Sequence, residues 1–133
     1  MIVLDTHTLV WMDCNDSLLG PRTRGLIEDA WRSDVVAVSA ISFWEAMMLA
    51  ERGRIILPVP ADVWRFDLLQ AGLREIPLDG RVALLAARLE GLHRDPADRF
   101  IVATSVQLGA TLVTADTQIL GWSGDLLRQD ATT

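Results

Sequence analysis

Four acids sit at the seams between apolar segments: Asp5 behind MIVL, Glu45 in SAISFWEAMML, Asp98 in HRDPADRFIVATS, and Asp116 behind TLVTA. Each has an ordinary structural use. Asp5 and Asp116 can satisfy free backbone donors at a helix or turn start. Glu45 stands three residues after Ser42, the S-x-x-E spacing of a capping box. In DPAD, Pro96 suits the first helical position, which makes Asp95 the cap and leaves Asp98 without that duty. Taken together, the four have a further property. In an open parallel sheet, the carboxyl ends of the strands and the amino ends of the following helices share one edge, where ligands bind. Asp5 and Asp116 end apolar runs, while Glu45 and Asp98 fall near helix starts, so all four can point to that edge. Two carboxylates about 4 Å apart repel by roughly 4 kcal/mol at an effective dielectric of 20, and a helix amino end returns only about 0.3–1 kcal/mol. The cluster must therefore take up protons or hold a cation. An all-oxygen set suits Mg²⁺ or Mn²⁺ rather than Zn²⁺. An ion held in this way can lower the pKa of a water and neutralise charge on a phosphodiester, so the implied chemistry is phosphodiester hydrolysis.

The elements that must position these acids follow an alternation of short β-branched runs and longer amphipathic stretches, which predicts an α/β fold with a mostly parallel central sheet. MIVLD is a first strand, GPRTRGLIEDAWRS a helix opened by Pro21, DVVAVS a second strand, and AISFWEAMMLAERG a helix stopped at Gly53. RIILPVP is a short extended piece interrupted by prolines, PADVWRFDLLQAG a helix, and LREIPL a brief strand. DGRVALLAARLEGLH predicts a helix with Val82, Leu85, Leu89 and Leu92 on one stripe. PADRFIVATSVQLG and ATLVTAD complete the alternation as helix and strand, and the terminal RQDATT is expected to fray. Trp44, Met47, Met48, Trp64 and Phe66 are expected to include core residues. With 50% hydrophobic residues, a surplus is left for a subunit or partner interface.

Other polar residues carry less weight. Thr6 and Thr114 flank the strand-end acids and could orient a carboxylate or a water, although local backbone bonding is their ordinary use. His7 and His93 read as polar packing near helix starts. Arg94 and Arg99 bracket DPAD and could touch a phosphate or form solvated ion pairs. The length, 133 residues, bounds a single domain over 1–133. Cys14 is the lone cysteine, so neither a disulfide framework nor a zinc cluster is expected, and a reducing cytoplasmic setting follows. No apolar run reaches the length of a membrane span. A net charge of -6 argues against a polyanionic partner, unless the acids are gathered in one pocket around cations. Glycine-rich phosphate loops and nucleophile elbows are absent. All 12 basic residues are Arg, which excludes a phosphoacceptor domain that relies on a lysine. A non-catalytic protein-binding module whose acids are helix and turn caps is the remaining rival.

The segments VLDTHTLVW, SAISFWEAMML, HRDPADRFIVATS and LVTADTQIL, in that order along the chain, resemble the PIN-domain ribonucleases and, within them, the toxin subunits of the VapC type. The resemblance implies a three-layer α/β/α domain and an endoribonuclease dependent on Mg²⁺ or Mn²⁺. It also implies homodimers and a cognate VapB-type antitoxin, which covers an apolar surface and sends a basic side chain into the acidic pocket. Carried over by position, Asp5, Glu45, Asp98 and Asp116 match the family's catalytic quartet, with Asp5, Asp98 and Asp116 as metal ligands. Thr114 matches a small polar position two residues before the last acid. Residues 54–80 carry no family signature.

Overall fold

Five short strands, β1 (Ile2–Leu4), β2 (Val36–Ser39), β3 (Arg74–Ile76), β4 (Thr111–Thr114) and β5 (Arg128–Asp130), form one sheet in the computed structural model, which describes residues 1–133. The order is β3-β2-β1-β4-β5 and every pairing is parallel. The chain runs outward from β1 through β2 to β3, then returns to lay β4 and β5 on the other side of β1. The carboxyl ends of β1 and β4 therefore flank the switch point, where an open sheet leaves a crevice.

Side chains alternate across the strands with a period of two, and both faces are apolar. Ile2, Leu4, Val36, Val38 and Val113 enter one buried cluster, while Val3, Ala37 and Leu112 enter another on the opposite face. The first face is covered by α1 (Thr6–Asp13), α2 (Pro21–Arg32), α3 (Ile41–Glu51) and α4 (Ala61–Gln70), which contribute Leu9, Ile27, Ala46 and Trp64. The second is covered by α5 (Gly80–Ala87), α6 (Pro96–Leu108) and α7 (Thr117–Leu120), through Val82, Ile101, Val102 and Ile119. This is the expected three-layer α/β/α arrangement.

Several expectations are corrected. The carboxyl terminus does not fray: β5 pairs with β4, the Gly20 N–H donates to the Ala131 carbonyl at 2.9 Å, and Thr23 Oγ1 donates to the Asp130 carbonyl at 2.9 Å. Gly20 is required there, because a Cβ would run into the backbone of Thr132 and Thr133. The expected stripe on α5 is interrupted, since the helix stops at Ala87; Leu89 and Leu92 reach the core from the following turn, where Gly91 has φ 77°. Of the five large apolar residues expected to supply core, Trp64 is buried and Met48 half-buried, but Trp44, Met47 and Phe66 are 56%, 50% and 61% exposed. No helix is long and apolar enough to cross a membrane.

Candidate active site

Asp5 is the first residue beyond β1, at the centre of the sheet edge. It precedes α1 but is a poor cap for it, accepting only from the adjacent Thr6 N–H at 2.8 Å rather than from the second or third helical amide. Its other oxygen, Oδ2, accepts from the Thr114 hydroxyl at 2.6 Å. Thr114 ends β4, and its Oγ1 also accepts the Asp116 N–H at 3.1 Å. A buried hydroxyl thus ties the carboxyl ends of β1 and β4 together and fixes the plane of the Asp5 carboxylate.

Asp98 occupies the third position of α6, behind Asp95 and Pro96. Asp95 is the cap, accepting from the Ala97 N–H at 3.0 Å, so Asp98 is free to point inward, where it is only 9% exposed. Its Oδ2 lies 2.7 Å from His93 Nε2. The other ring nitrogen, Nδ1, is buried without a partner. His93 is held by its backbone: Arg99 donates to the carbonyls of Ala86, Leu89, Leu92 and His93. Arg99 therefore faces the loop that ends α5, and is neither a phosphate contact nor a solvated ion pair.

Glu45 projects from α3, half-buried. The capping-box reading fails, because Ser42 is already inside the helix and its Oγ accepts from Thr6 Oγ1 at 3.0 Å. Glu45 thus has no cap to explain it. Asp116 is a true cap, its Oδ1 accepting from Gln118 and Ile119 N–H at 2.8 and 3.2 Å. That leaves the second oxygen for the crevice.

The sheet edge and helix starts bring one oxygen each from Asp5, Glu45 and Asp98 within 4.8 Å of one another, and the same limit joins His93, Asp98 and Asp116. Asp98 belongs to both groups, so all four sequence-selected acids meet in one place. Burial is the first cause of an abnormal protonation equilibrium in three of them. It raises Asp5, with Thr114 and Thr6 opposing, and raises Glu45, with Thr6 opposing and Asp5 adding to the rise. It pushes Asp98 up to about 7, with His93 opposing and Asp5, Asp95 and Glu45 adding repulsion. Three crowded carboxyls that resist ionisation, set in an all-oxygen group with a histidine at its border, are chemically suited to a hard divalent cation such as Mg²⁺ or Mn²⁺. Asp5, Glu45 and Asp98 form one such group, and Asp98 links it to Asp116 through the group that includes His93.

His93 is the member that sequence reading undervalued. It precedes Asp98 by five residues, a spacing that faces no partner on a helix; only the turn at Asp95–Pro96 folds the ring back. Arg52 and Arg54, which no motif marks, also line the crevice, together with Trp11 and Trp44.

A doubly faced parallel sheet with acids at its switch point defines the class. Residues 2–120 match the PIN domain model, and the chain belongs to that family. It is 35% identical over 119 residues to Ribonuclease VapC22 of Mycobacterium tuberculosis, covering 89% of this chain and 88% of that one. Its backbone resembles VapBC2 from Rickettsia felis, solved bound to a promoter DNA fragment, with TM-score 0.71, 18% identity, and coverage of 97% and 98% of the two chains. It also resembles VapBC-1 from nontypeable Haemophilus influenzae, with TM-score 0.66, 18% identity and full coverage of both chains.

Proposed function

We propose that residues 1–133 are a single metal-dependent endoribonuclease domain, the toxin component of a toxin–antitoxin pair. The observation that carries this reading is the convergence of Asp5, Glu45 and Asp98 oxygens within 4.8 Å, in a chain of the PIN family. Likeness to a ribonuclease supplies the substrate class. Asp5, Asp98 and Asp116 would hold Mg²⁺ or Mn²⁺. When bound, the ion supplies positive charge against the scissile phosphate and a water of lowered pKa.

The chain's own groups do the rest. Thr6 N–H and Thr114 Oγ1–H hold both oxygens of Asp5 in one orientation, and His93 Nε2 holds Asp98 Oδ2. Glu45, a member of the trio whose carboxyl is raised by burial, is placed to take the proton from the attacking water at its carboxylate oxygen. The rival reading of the acids as caps accounts for Asp95 and Asp116 but not for Asp5, Glu45 or Asp98, whose bonds serve no helix end beyond one adjacent amide.

A VapB-type antitoxin and a homodimer are part of the same proposal. They are supported by the VapBC complexes among the structural relatives and by a groove lined with Met47, Ile55, Ile56, Leu57 and Val59. The test is cleavage of total cellular RNA by the purified chain. Cutting is expected in Mg²⁺ or Mn²⁺, and none in EDTA or with Asp5→Asn or Asp98→Asn. Cutting at the parent rate by either variant would remove the acids from the mechanism.

A further inference from the structure

The crevice has a second wall, of different character from the acids. Its volume is about 490 Å³, and Trp11, Trp44, Arg52 and Arg54 line it together with Asp5, Asp98 and Asp116. Trp44 is 56% exposed on α3, so burial does not explain it. Arg52 and Arg54 are exposed and their guanidinium groups form neither an ion pair nor a hydrogen bond, although carboxylates line the same cavity; the arginines that are salt-bridged are Arg32, Arg65 and Arg74. The carboxyl end of α3 favours a cation at Arg52. It does not account for Arg54, which follows Gly53, whose φ of 70° turns the chain so that both guanidinium-bearing residues border one cavity.

We propose that this wall is a nucleotide subsite, in which an unpaired base stacks on Trp44 and the flanking phosphates lie on Arg52 and Arg54. The inference rests on the ribonuclease reading and adds to it the residues that hold the nucleotides beside the cut. An aromatic face next to a cationic edge is how proteins hold single-stranded nucleic acid without reading its sequence. Guanidinium groups match phosphate geometry. Within a duplex, bases are stacked on each other and have no face to give to Trp44. The cavity volume falls in the range of sites for small ligands, about 300–1,000 Å³, which suits a nucleotide and not a helix.

The test is fluorescence anisotropy with a labelled, unstructured RNA 12-mer and the same sequence as a duplex, in Ca²⁺, with salt varied. The duplex is expected to bind far more weakly than the single strand. Trp44→Ala should weaken single-strand binding about tenfold and leave its salt dependence unchanged. The Arg52→Ala/Arg54→Ala pair should weaken binding and lower the slope of log K against log salt by about 1.4, or ~0.7 for each phosphate that is no longer neutralised. Arg81→Ala, on exposed α5 surface, should change neither. If the chain cuts RNA while the wall variants bind single strands as the parent does, the subsite is wrong and the ribonuclease reading stands. If those variants bind RNA normally but lose a protein inhibitor, the wall belongs to a protein partner and the proposal is overturned. If the parent chain neither binds nor cuts RNA, the ribonuclease reading itself fails.

Discussion

Aspartates in similar local settings do different work here, and their hydrogen bonds tell them apart. Asp95 and Asp116 accept from amides at the second or third helical position, whereas Asp5 and Asp98 accept mainly from side chains that hold them toward the crevice. Substituting Asp98 tests this directly. An acid whose folded pKa lies above its unfolded value takes up a proton on folding. Its favourable contribution is complete below the unfolded value and is lost as pH rises through the folded one, so for Asp98 the loss runs from about 4 to about 7. Without metal, Asp98→Asn should therefore raise Tm at pH 7.5 by about 5 °C or more, and change it little at pH 4, while abolishing cleavage; calorimetry in EDTA checks it. A destabilised variant at pH 7.5 would mean that Asp98 is a structural acid. Thr114→Val removes the hydrogen bond to Asp5 without opening space, and Mn²⁺ affinity measured by calorimetry should fall about 10- to 100-fold. The acids themselves were legible in the sequence because each adjoins an apolar run. His93 and Ser42 were not, since their partners, Asp98 and Thr6, are set by a loop reversal and by a contact between α1 and α3.

At the level of elements, two half-buried arginines do what periodicity cannot foresee. Arg99 takes carbonyls in the last turn of α5 and beyond it, and Arg128 takes those of Ile119, Trp122, Gly124 and Leu126. Both replace regular structure with a tied loop. This is why the apolar spacing of Val82, Leu85, Leu89 and Leu92 matched a helix that in fact ends at Ala87: Val82, Leu89 and Leu92 are buried as expected, the two leucines by another path. It is also why a polar terminus, RQDATT, becomes an edge strand; its order comes from β4 and from the backbone groups of Gly20 and Arg22. Arg99→Met keeps the aliphatic stem but leaves several partly buried carbonyls without donors, and should cost about 3 kcal/mol, or roughly 10 °C in Tm. Thermal unfolding of the variant measures it, and an unchanged Tm would mean that water replaces the guanidinium at no cost.

For the whole molecule, topology turns four distant acids into one site. The reversal of strand order between β1 and β4, which run parallel, opens the crevice, and α3 and α6 deliver Glu45 and Asp98 to it. The architecture was readable because strand and helix periods alternate cleanly and both sheet faces demand cover. The exposure of Trp44, Met47 and Phe66 was not, because composition alone does not say which apolar residues the layers leave outside. Burial of the clustered acids, reinforced by their mutual repulsion, makes the metal-free protein sensitive to pH. Asp5, Glu45 and Asp98 are all raised, so metal-free stability should decline as pH rises above the ordinary carboxyl range, and Mn²⁺ should raise Tm more at pH 7.5 than at pH 5. The most direct measurement is isothermal titration of Mn²⁺ into the purified chain at pH 7.5, beside Asp5→Asn and Asp98→Asn proteins verified as folded. Saturable binding by the parent, lost in both variants, is the result this account requires; no binding by the parent, or undiminished binding by the variants, would contradict it.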